Sequence, residues 1–269
     1  MPPMTAPADL TFLAALARIA LDAGAVIRRI EANGIHAREK ADASVVTDAD
    51  EAAEALICPA LRTLAPGTPI IAEEAVAAGG GVAPGRRFFL VDPLDGTREF
   101  VSGNGEYTVN IALVEDGTPR YGIIYAPAKG LLYAGGDGAA FKALRAPEDA
   151  VVPESWTPIH CRLRPAGPIR VCASRSHSDP STSAFIGGFE VEDCVNAGSA
   201  LKFGLLAEGA VDLYPRLSPV MEWDSAAGHA IVVAAGGSVR RPDGSPLTYG
   251  HPENDFRVNG FIAEGRPVA

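Results

Sequence analysis

The sequence predicts an α+β protein whose first half combines helices with antiparallel strands and whose second half alternates strands with helices. Three observations predict this. Apolar residues recur at helical spacing over 10–30, short apolar runs separated by turn signals fill 88–138, and strand and helix patterns alternate after 169. Between the last two patterns, the segment 145–168 contains five prolines and little periodicity, which is typical of a linker.

The predicted linker divides the chain into two regions. Residues 1–148 form an N-terminal α+β half, and residues 149–269 form a C-terminal α/β half. At 269 residues and 47% hydrophobic content, the chain is large enough for one substantial core or two modest ones. No internal repeat or low-complexity tract interrupts either half.

Two helices and a short strand open the first half. The first helix follows the apolar pattern from Leu10 to Ile30, with Asp9 as its N-cap and Asn33-Gly34 as its end. The second begins at Thr47-Asp48 and is expected to end before Pro59. The other predicted segments of this half are an irregular stretch 35–44, strand 70–72, loop 77–85, and strands 88–91, 107–114, 121–125 and 131–133.

The second half alternates the two element types. Its predicted elements are strand 169–173, helix 200–208, strand 210–214, helix 224–235, and closing strands at 237–239 and 261–262.

Composition narrows the possible partners and location. The formal net charge of −10 argues against a general binder of nucleic acids or anionic membranes. The four cysteines form no C-x-x-C pair, which favours reduced thiols in a cytoplasmic protein. Residues 1–9 lack the pattern of a signal peptide, and no 18-residue apolar stretch is expected to span a membrane. Peripheral membrane association stays open.

The most informative motif is the turn from Asp92 to Thr97, with sequence DPLDGT, directly after the apolar run 88–91. Its proline and glycine favour a tight turn at the end of a buried strand. The turn would present the carboxylates of Asp92 and Asp95, the carbonyl of Leu94 and the hydroxyl of Thr97. Oxygen ligands of this kind suit a hard divalent cation such as Mg²⁺.

Other carboxylates also stand at the ends of predicted elements. Glu73-Glu74 follow a strand, Asp50 and Glu54 share one helix face, and Asp224 begins a helix. Each of these acids has an ordinary alternative role as a solvated charge or helix cap. For Asp224, a role as N-cap is compatible with binding of a metal ion. If these acids converge, divalent cations would remove their mutual repulsion, and two such ions can clamp the oxygens of a phosphoryl displacement.

These motifs resemble those of the inositol-monophosphatase-like, lithium-sensitive metal phosphatases. The superfamily resemblance lies in Ala72-Glu73-Glu74, Asp92–Thr97 and the segment 223–228, with sequence WDSAAG. Within the superfamily the chain resembles the 3'(2'),5'-bisphosphate nucleotidases of the CysQ type. That closer resemblance lies in segments 92–100, 104–114, 173–177, 198–203, 207–209 and 214–216.

The resemblance implies a layered αβαβα fold and a Mg²⁺-dependent phosphomonoesterase that cleaves adenosine 3',5'-bisphosphate to AMP and phosphate. The sulfated nucleotide of sulfate assimilation is a possible second substrate. By motif position, the ligands of two or three Mg²⁺ ions would be Glu73, Asp92, the Leu94 carbonyl, Asp95 and Asp224. Glu73 and Thr97 would position the attacking water, and Asp50 would bind a further metal or activate that water.

The resemblance also implies substrate contacts. The backbone N–H groups of Gly96 and Thr97 would face the reacting phosphate. On the nucleotide side, Ser199 and Lys202 would contact the nucleotide, Arg216 its second phosphate, and His177 the adenosine. Alternatively, Lys202 and Arg216 are surface charges and His177 is a turn residue.

Two other functions fit the same motifs. A sibling inositol or sugar monophosphatase would share every metal ligand and differ in the leaving alcohol. A catalytically silent metal-binding or nucleotide-binding regulator would usually lack a ligand or the hydroxyl, whereas this chain retains all five candidate acids and Thr97. Many superfamily members dimerise, so a homodimer is possible, although no apolar stripe identifies an interface.

Overall fold

The protein is described here by a computed structural model over residues 9–39, 45–80, 83–174 and 179–266. These residues form seven α-helices and sixteen strands. The helices are α1 Leu10–Asn33, α2 Asp48–Leu64, α3 Glu73–Ala77, α4 Thr97–Val101, α5 Pro180–Ile186, α6 Leu201–Ala207 and α7 Glu222–Ala234. Two 3₁₀ helices span Pro153–Ser155 and Pro252–Asn254.

Most of the strands belong to two large sheets. The strands are β1 Ala37–Glu39, β2 Val45–Thr47, β3 Ile70–Ala72, β4 Arg87–Asp95, β5 Thr108–Glu115, β6 Thr118–Ala126, β7 Leu131–Gly136, β8 Ala139–Leu144, β9 Thr157–Ile159, β10 Ile169–Ser174, β11 Val191–Ala197, β12 Leu213–Arg216, β13 Val220–Met221, β14 Ser238–Arg240, β15 Arg257–Val258 and β16 Phe261–Glu264. Strands β3 to β9 form a seven-stranded sheet in chain order. The five-stranded sheet has the order β11-β10-β12-β16-β14.

Three hydrophobic clusters separate the layers. In the first, α1 and α2 pack on one face of the seven-stranded sheet. In the second, α6 and α7 fill the space between the two sheets. In the third, α5 covers the outer face of the five-stranded sheet. This order of helix, sheet, helix, sheet and helix confirms the predicted αβαβα arrangement.

Strand β4 contains the continuous apolar run 88–91 because both of its faces are buried. Phe89 and Val91 pack with the α1–α2 layer, whereas Phe88 and Leu90 pack with the inter-sheet helices. Successive side chains of a strand point to opposite faces, and here both faces are buried. The strand therefore carries the chain through the core to the DPLDGT turn.

The first helix begins and ends where the sequence indicated. The Asp9 side chain accepts the Phe12 N–H at 3.0 Å, and Gly34 ends the helix with a φ of 107°. The expectation of no apolar stretch long enough for a membrane was wrong for α1, which passes that test by length and composition. Its leucines at 13, 16 and 21 are, however, completely buried in the protein core.

Pro59 lies inside α2, so the prediction that this helix ends before Pro59 was wrong. A proline inside a helix costs one backbone hydrogen bond. The flanking residues Ile57 and Leu61 are fully buried, and their burial favours continuation of the helix. The segment 35–44, predicted as irregular, contains β1, which pairs with β2.

The proline-rich segment 145–168, predicted as a linker, takes part in a sheet. It contains β9, which pairs with β8 and forms the last strand of the seven-stranded sheet. The division at 148/149 stays a prediction, but the sheet continues across it. The sequence patterns also missed α5 and β11, because β11 is an exposed edge strand without an apolar alternation.

Buried His229 provides a test of the packing between α7 and the seven-stranded sheet. Burial lowers the pKa of His229 to about 4, and its Nδ1 lies 3.1 Å from the Tyr249 hydroxyl. The unfolded chain takes up this proton near pH 6.5, whereas the folded protein does not until about pH 4. Stability is therefore present above pH 6.5 and decreases as the pH falls toward 4.

We predict that His229 lowers the free energy of unfolding by up to about 1.4 kcal/mol for each unit by which the pH falls between 6.5 and 4. Urea denaturation at several pH values should show a smaller slope for His229→Gln than for the wild type. Substitution of the exposed His36 by Gln serves as the control. Equal slopes for the wild type and His229→Gln would contradict the prediction.

Candidate active site

A cavity of about 530 Å³ lies where the DPLDGT turn meets α3, α6 and the first turn of α7. Most of the predicted site residues line it. These are Glu73, Asp92, Leu94, Asp95, Gly96, Thr97, Ser199, Lys202, Arg216 and Asp224. Asp50 lies one layer behind the cavity wall, and His177 lies outside the described residues. The cavity therefore collects side chains from both halves of the sequence.

The DPLDGT turn is formed by an irregularity in the ladder between β4 and β5. Asp92 pairs with Asn110 and Asp95 with Thr108, so the register shifts between the two acids. The Leu94 N–H donates to Asp92 Oδ1 at 3.0 Å, which fixes one carboxylate across the turn. Gly96 has a φ of 89°, a conformation that favours glycine, and it precedes α4.

Asp50 and Thr97 are linked behind the cavity wall. Asp50 accepts hydrogen bonds from the Thr47 N–H at 2.8 Å and hydroxyl at 2.6 Å, which closes the capping box of α2. The Thr97 hydroxyl lies 3.1 Å from Asp50 Oδ1 and 3.3 Å from the Leu94 carbonyl. Burial raises the pKa of Asp50, while the hydroxyls of Thr47 and Thr97 oppose the rise. Asp50 therefore orients Thr97, which itself lines the cavity.

Glu73 is the first residue of the short helix α3, which directly follows β3. The Glu54 carboxylate accepts the N–H of Glu74 at 2.8 Å and of Ala75 at 2.9 Å. Glu54 thus caps the N-terminus of α3 from the neighbouring helix. The sequence placed Glu54 on the same face as Asp50, but only the packing of α2 against α3 reveals its capping role.

Asp224 is the third residue of α7 and not its N-cap, so the predicted capping position was wrong. The helix begins at Glu222, and Asp224 Oδ2 accepts the N–H of the N-cap residue Met221 at 3.0 Å. The helix lies so close to β6 that a Cβ on Gly122 would come within 2.2 Å of the Ala227 carbonyl. This close approach carries Asp224 to the cavity.

The carboxylates in the cavity repel one another. Burial raises the pKa of Asp92 well above its usual range, and the charges of Glu73, Asp95 and Asp224 raise it further. Burial also raises the pKa of Asp224 to about 8, assisted by the charges of Asp95 and Glu73. The pKa of Asp95 is raised by burial and lowered in part by the cations Lys202 and Arg216. Additional positive charge would therefore favour the ionised form of all three aspartates.

The donor set fits a hard divalent cation in its chemistry, since it consists of carboxylates and a free carbonyl. Within residues 9–39, 45–80, 83–174 and 179–266, however, no three His, Cys, Asp or Glu side chains form a ready group of metal ligands. The predicted ligands share one cavity and one electrostatic field. Their assignment as ligands stays a prediction.

Lys202 also lines the cavity; it is buried and is not a surface charge. Only 2% of the residue is exposed. Its Nζ donates to the Ala197 carbonyl at 3.2 Å and the Ser199 carbonyl at 2.5 Å, which fixes a positive charge near Asp95. Burial lowers the pKa of Lys202, and the charge of Asp95 opposes this. Ser199 has a φ of 45°, and its buried hydroxyl has no protein partner among the described residues.

Arg216 ends β12 and lines the cavity together with its neighbour Tyr214. Its Nε is buried without a hydrogen-bond partner among the residues described. The guanidinium acts electrostatically on both Asp95 and Asp224. An unpaired donor beside these carboxylates is suited to an anionic ligand.

Several cavity residues were not predicted from the sequence. They are Val45, Val76, Trp223, Asp255 and Arg257, along with Glu99 beneath the turn. Arg98, which directly follows the DPLDGT turn, also lines the cavity. Val45 and Val76 carry no sequence signal that distinguishes them from core residues. Trp223 belongs to the motif 223–228, and residues 255 and 257 lie outside every motif.

Comparison with known proteins places the chain in a family. The model of the inositol monophosphatase family matches residues 9–265. The 3'(2'),5'-bisphosphate nucleotidase CysQ of Escherichia coli K12 is 41% identical over 82% of this chain and 86% of its own length. CysQ of Salmonella typhimurium is 40% identical over 91% of this chain and 96% of its own.

Solved structures agree with this assignment. The crystal structure of CysQ from Bacteroides thetaiotaomicron matches with a TM-score of 0.80 at 34% identity, covering 96% of this chain and 98% of that one. An inositol monophosphatase from Anabaena matches with a TM-score of 0.71 at 25% identity, covering 95% and 91%. The chain therefore belongs to the inositol monophosphatase family. Within that family it is of the CysQ type, which confirms the resemblance seen in the sequence.

Gly198 allows a test of how the loop that carries Ser199 is held at the cavity. A Cβ at Gly198 would come within 2.8 Å of the Glu106 carbonyl, and the Gly198 N–H donates to the Glu106 carboxylate at 2.9 Å. We predict that Gly198→Ala lowers the free energy of unfolding by about 1–3 kcal/mol because the loop before Ser199 must move.

Urea denaturation measures this effect, with Gly187→Ala as the matched control. At Gly187 the nearest atom to a new Cβ lies 3.4 Å away, which is an ordinary contact. Equal stabilities for Gly198→Ala and the wild type would show that the close approach is not a constraint.

Proposed function

We propose that the protein is a divalent-cation-dependent phosphomonoesterase that hydrolyses adenosine 3',5'-bisphosphate to AMP and phosphate. The observation that carries the proposal is the meeting of two charge types in one cavity. Mutually repelling carboxylates and the two cations Lys202 and Arg216 line the same cavity. The similarity to CysQ nucleotidases over most of the chain supports the nucleotide as substrate. The sulfated nucleotide is proposed as a second substrate.

The residues that would hold Mg²⁺ are Glu73, Asp92, the Leu94 carbonyl, Asp95 and Asp224. When bound, the cations would lower the pKa of a coordinated water and neutralise the charge that develops on the departing oxygen. The pKa values of Asp92 and Asp224, both raised by burial and like charge, support this role because a cation would relieve their repulsion.

Glu73 and Thr97 are proposed to orient the attacking water. Thr97 is suited to this, because its hydroxyl lies within hydrogen-bond distance of Asp50 Oδ1 while the residue faces the cavity. Asp50 thus fixes the direction of the Thr97 hydroxyl. The proton of the attacking water would pass through this hydroxyl to Asp50. The N–H groups of Gly96 and Thr97, at the start of α4, would contact the reacting phosphate.

The phosphate that is not hydrolysed is proposed to bind at the basic residues of the cavity. Arg216 offers a buried Nε without a protein partner, and Ser199 a buried hydroxyl in the same condition, as judged over the described residues. Lys202 supplies a fixed positive charge. Three further statements stay predictions: His177 contacts adenosine, the protein forms a homodimer, and it is located in the cytoplasm.

The second candidate is an inositol or sugar monophosphatase, which the fold similarity to the Anabaena enzyme favours. Phosphate-release assays with adenosine 3',5'-bisphosphate and inositol 1-phosphate distinguish the two functions. We predict that kcat/KM is higher for the nucleotide by about tenfold or more, since inositol 1-phosphate has no second phosphate for Lys202 and Arg216 to bind.

Arg216→Ala is the matched variant for this assay. It should reduce nucleotide turnover and leave inositol phosphate turnover unchanged. A large preference of the wild type for inositol phosphate would overturn the proposed substrate. Tight nucleotide binding without any turnover in the presence of Mg²⁺ would instead indicate a silent regulator.

Metal binding is predicted to release protons, because Asp224 with a pKa of about 8 is largely protonated at pH 7 in the absence of metal. Calorimetric titration with Mg²⁺ in buffers of different ionisation enthalpy should show the release of about one proton near pH 7. Affinity should rise as the pH increases through 8.

Asp224→Asn is the matched variant for the calorimetric titration, and it should release fewer protons. A binding enthalpy that does not depend on the buffer would show that these carboxylates are not the metal ligands. Because this measurement needs no substrate, it tests the metal site separately from the reaction.

A further inference from the structure

Arg257 is a cavity residue that belongs to none of the sequence motifs. It lies on the short strand β15, is exposed, and lines the cavity near Asp224. Within the described part of the chain, its guanidinium forms no ion pair or hydrogen bond. It therefore presents an unpaired charge to the same space as the predicted metal ligands.

The backbone holds Arg257 against the first turn of α7. Strand β15 pairs with β13, with Arg257 opposite Met221 and Val258 opposite Val220. The Met221 N–H donates to Asp224, so Arg257 is the strand partner of a residue bonded to a predicted metal ligand. The Glu222 N–H donates to the Phe256 carbonyl at 2.8 Å and completes the attachment.

The chain that follows Arg257 leads to Arg216. Phe261 pairs with Arg216 in the five-stranded sheet, and a Cβ on Gly260 would lie 2.8 Å from the Arg216 carbonyl. The segment 257–261 therefore connects the Asp224 side of the cavity with the Arg216 side. Arg257 begins this segment, and Arg216 lies opposite its end through the pairing of β12 with β16.

The turn before Arg257 is fixed despite an unfavourable conformation. Asp255 and Phe256 have φ values of 53° and 55°, which cost about 1 kcal/mol or more each for residues other than glycine. The Phe256 ring is buried beside Trp223, with ring centroids 6.1 Å apart. The buried Glu222 carboxylate holds the preceding loop through the Gly250 and His251 N–H groups, at 2.6 and 3.0 Å. Arg257 is therefore delivered to the cavity by a rigid turn.

We propose that Arg257, together with Arg216, binds the phosphate of the substrate that is not hydrolysed. This inference rests on the proposed nucleotidase function. Lys202 already donates to two carbonyls, so it serves mainly as a fixed charge. A non-reacting phosphate carries about two negative charges and three acceptor oxygens. Two guanidinium groups match such a group in charge and in the number of donors.

Steady-state kinetics with two nucleotides test this proposal. Adenosine 3',5'-bisphosphate carries the second phosphate, and adenosine 3'-monophosphate does not. We expect Arg257→Ala to raise KM for the bisphosphate about tenfold, with kcat nearly unchanged, and to leave KM for the monophosphate unchanged. Arg257→Lys should recover part of the loss, and Arg240→Ala, an exposed arginine outside the cavity, should have no effect.

A binding measurement gives a readout that does not depend on turnover. Calorimetric titration should show that Arg257→Ala weakens AMP, which keeps the 5'-phosphate, about tenfold and leaves adenosine binding unchanged. Because Arg257 is exposed, the difference between wild type and variant should shrink at high salt.

The outcomes separate the two proposals. If the wild type hydrolyses the bisphosphate but Arg257→Ala binds and turns over both nucleotides like the wild type, the role of Arg257 is overturned and the nucleotidase function stands. Equal KM increases for both nucleotides would also overturn it, because the contact would then be to a group that both share. If the wild type does not hydrolyse the bisphosphate, the proposed function itself fails.

Discussion

The close packing of α7 between the two sheets is the interaction on which the site depends. The helix approaches β6 so closely that only glycine fits at 122 opposite Ala227. This contact fixes the first turn of α7 and with it Asp224, whose carboxylate is bonded to the N-cap backbone at Met221. A looser interface would let Asp224 move away from Asp92 and Asp95, because their like charges repel one another.

The carboxylates of the site therefore repel one another, and favourable packing in other parts of the fold offsets this cost in free energy. Burial and mutual charge raise the pKa values of the cavity aspartates, and the cations Lys202 and Arg216 offset part of this at Asp95. Extensive apolar burial in the three clusters supplies the free energy that keeps the acids together. The same arrangement favours binding of added positive charge at the carboxylates and of an anion at Arg216.

Support for the functional side chains comes from backbone contacts that extend beyond the motifs. Glu54 caps the helix that begins with Glu73, and Thr47 and Asp50 hold Thr97. Glu222 fixes the loop that leads to Arg257. These supporting residues lie on different elements from the groups they position, so a change in one layer is transmitted to the site by short hydrogen bonds.

The sequence by itself determined the elements with strong local signals and the chemistry of the DPLDGT turn. The α1 pattern, the glycine turns and the acidic motifs predicted most elements, and together with the family resemblance they predicted ten of the residues that line the cavity. Only the tertiary structure decided that α2 continues through Pro59, that β9 joins the large sheet, that Lys202 is buried, and that Arg257 reaches the cavity. The physical reason is that local patterns report backbone propensity and amphipathicity, whereas burial and long-range strand pairing depend on which layers pack together.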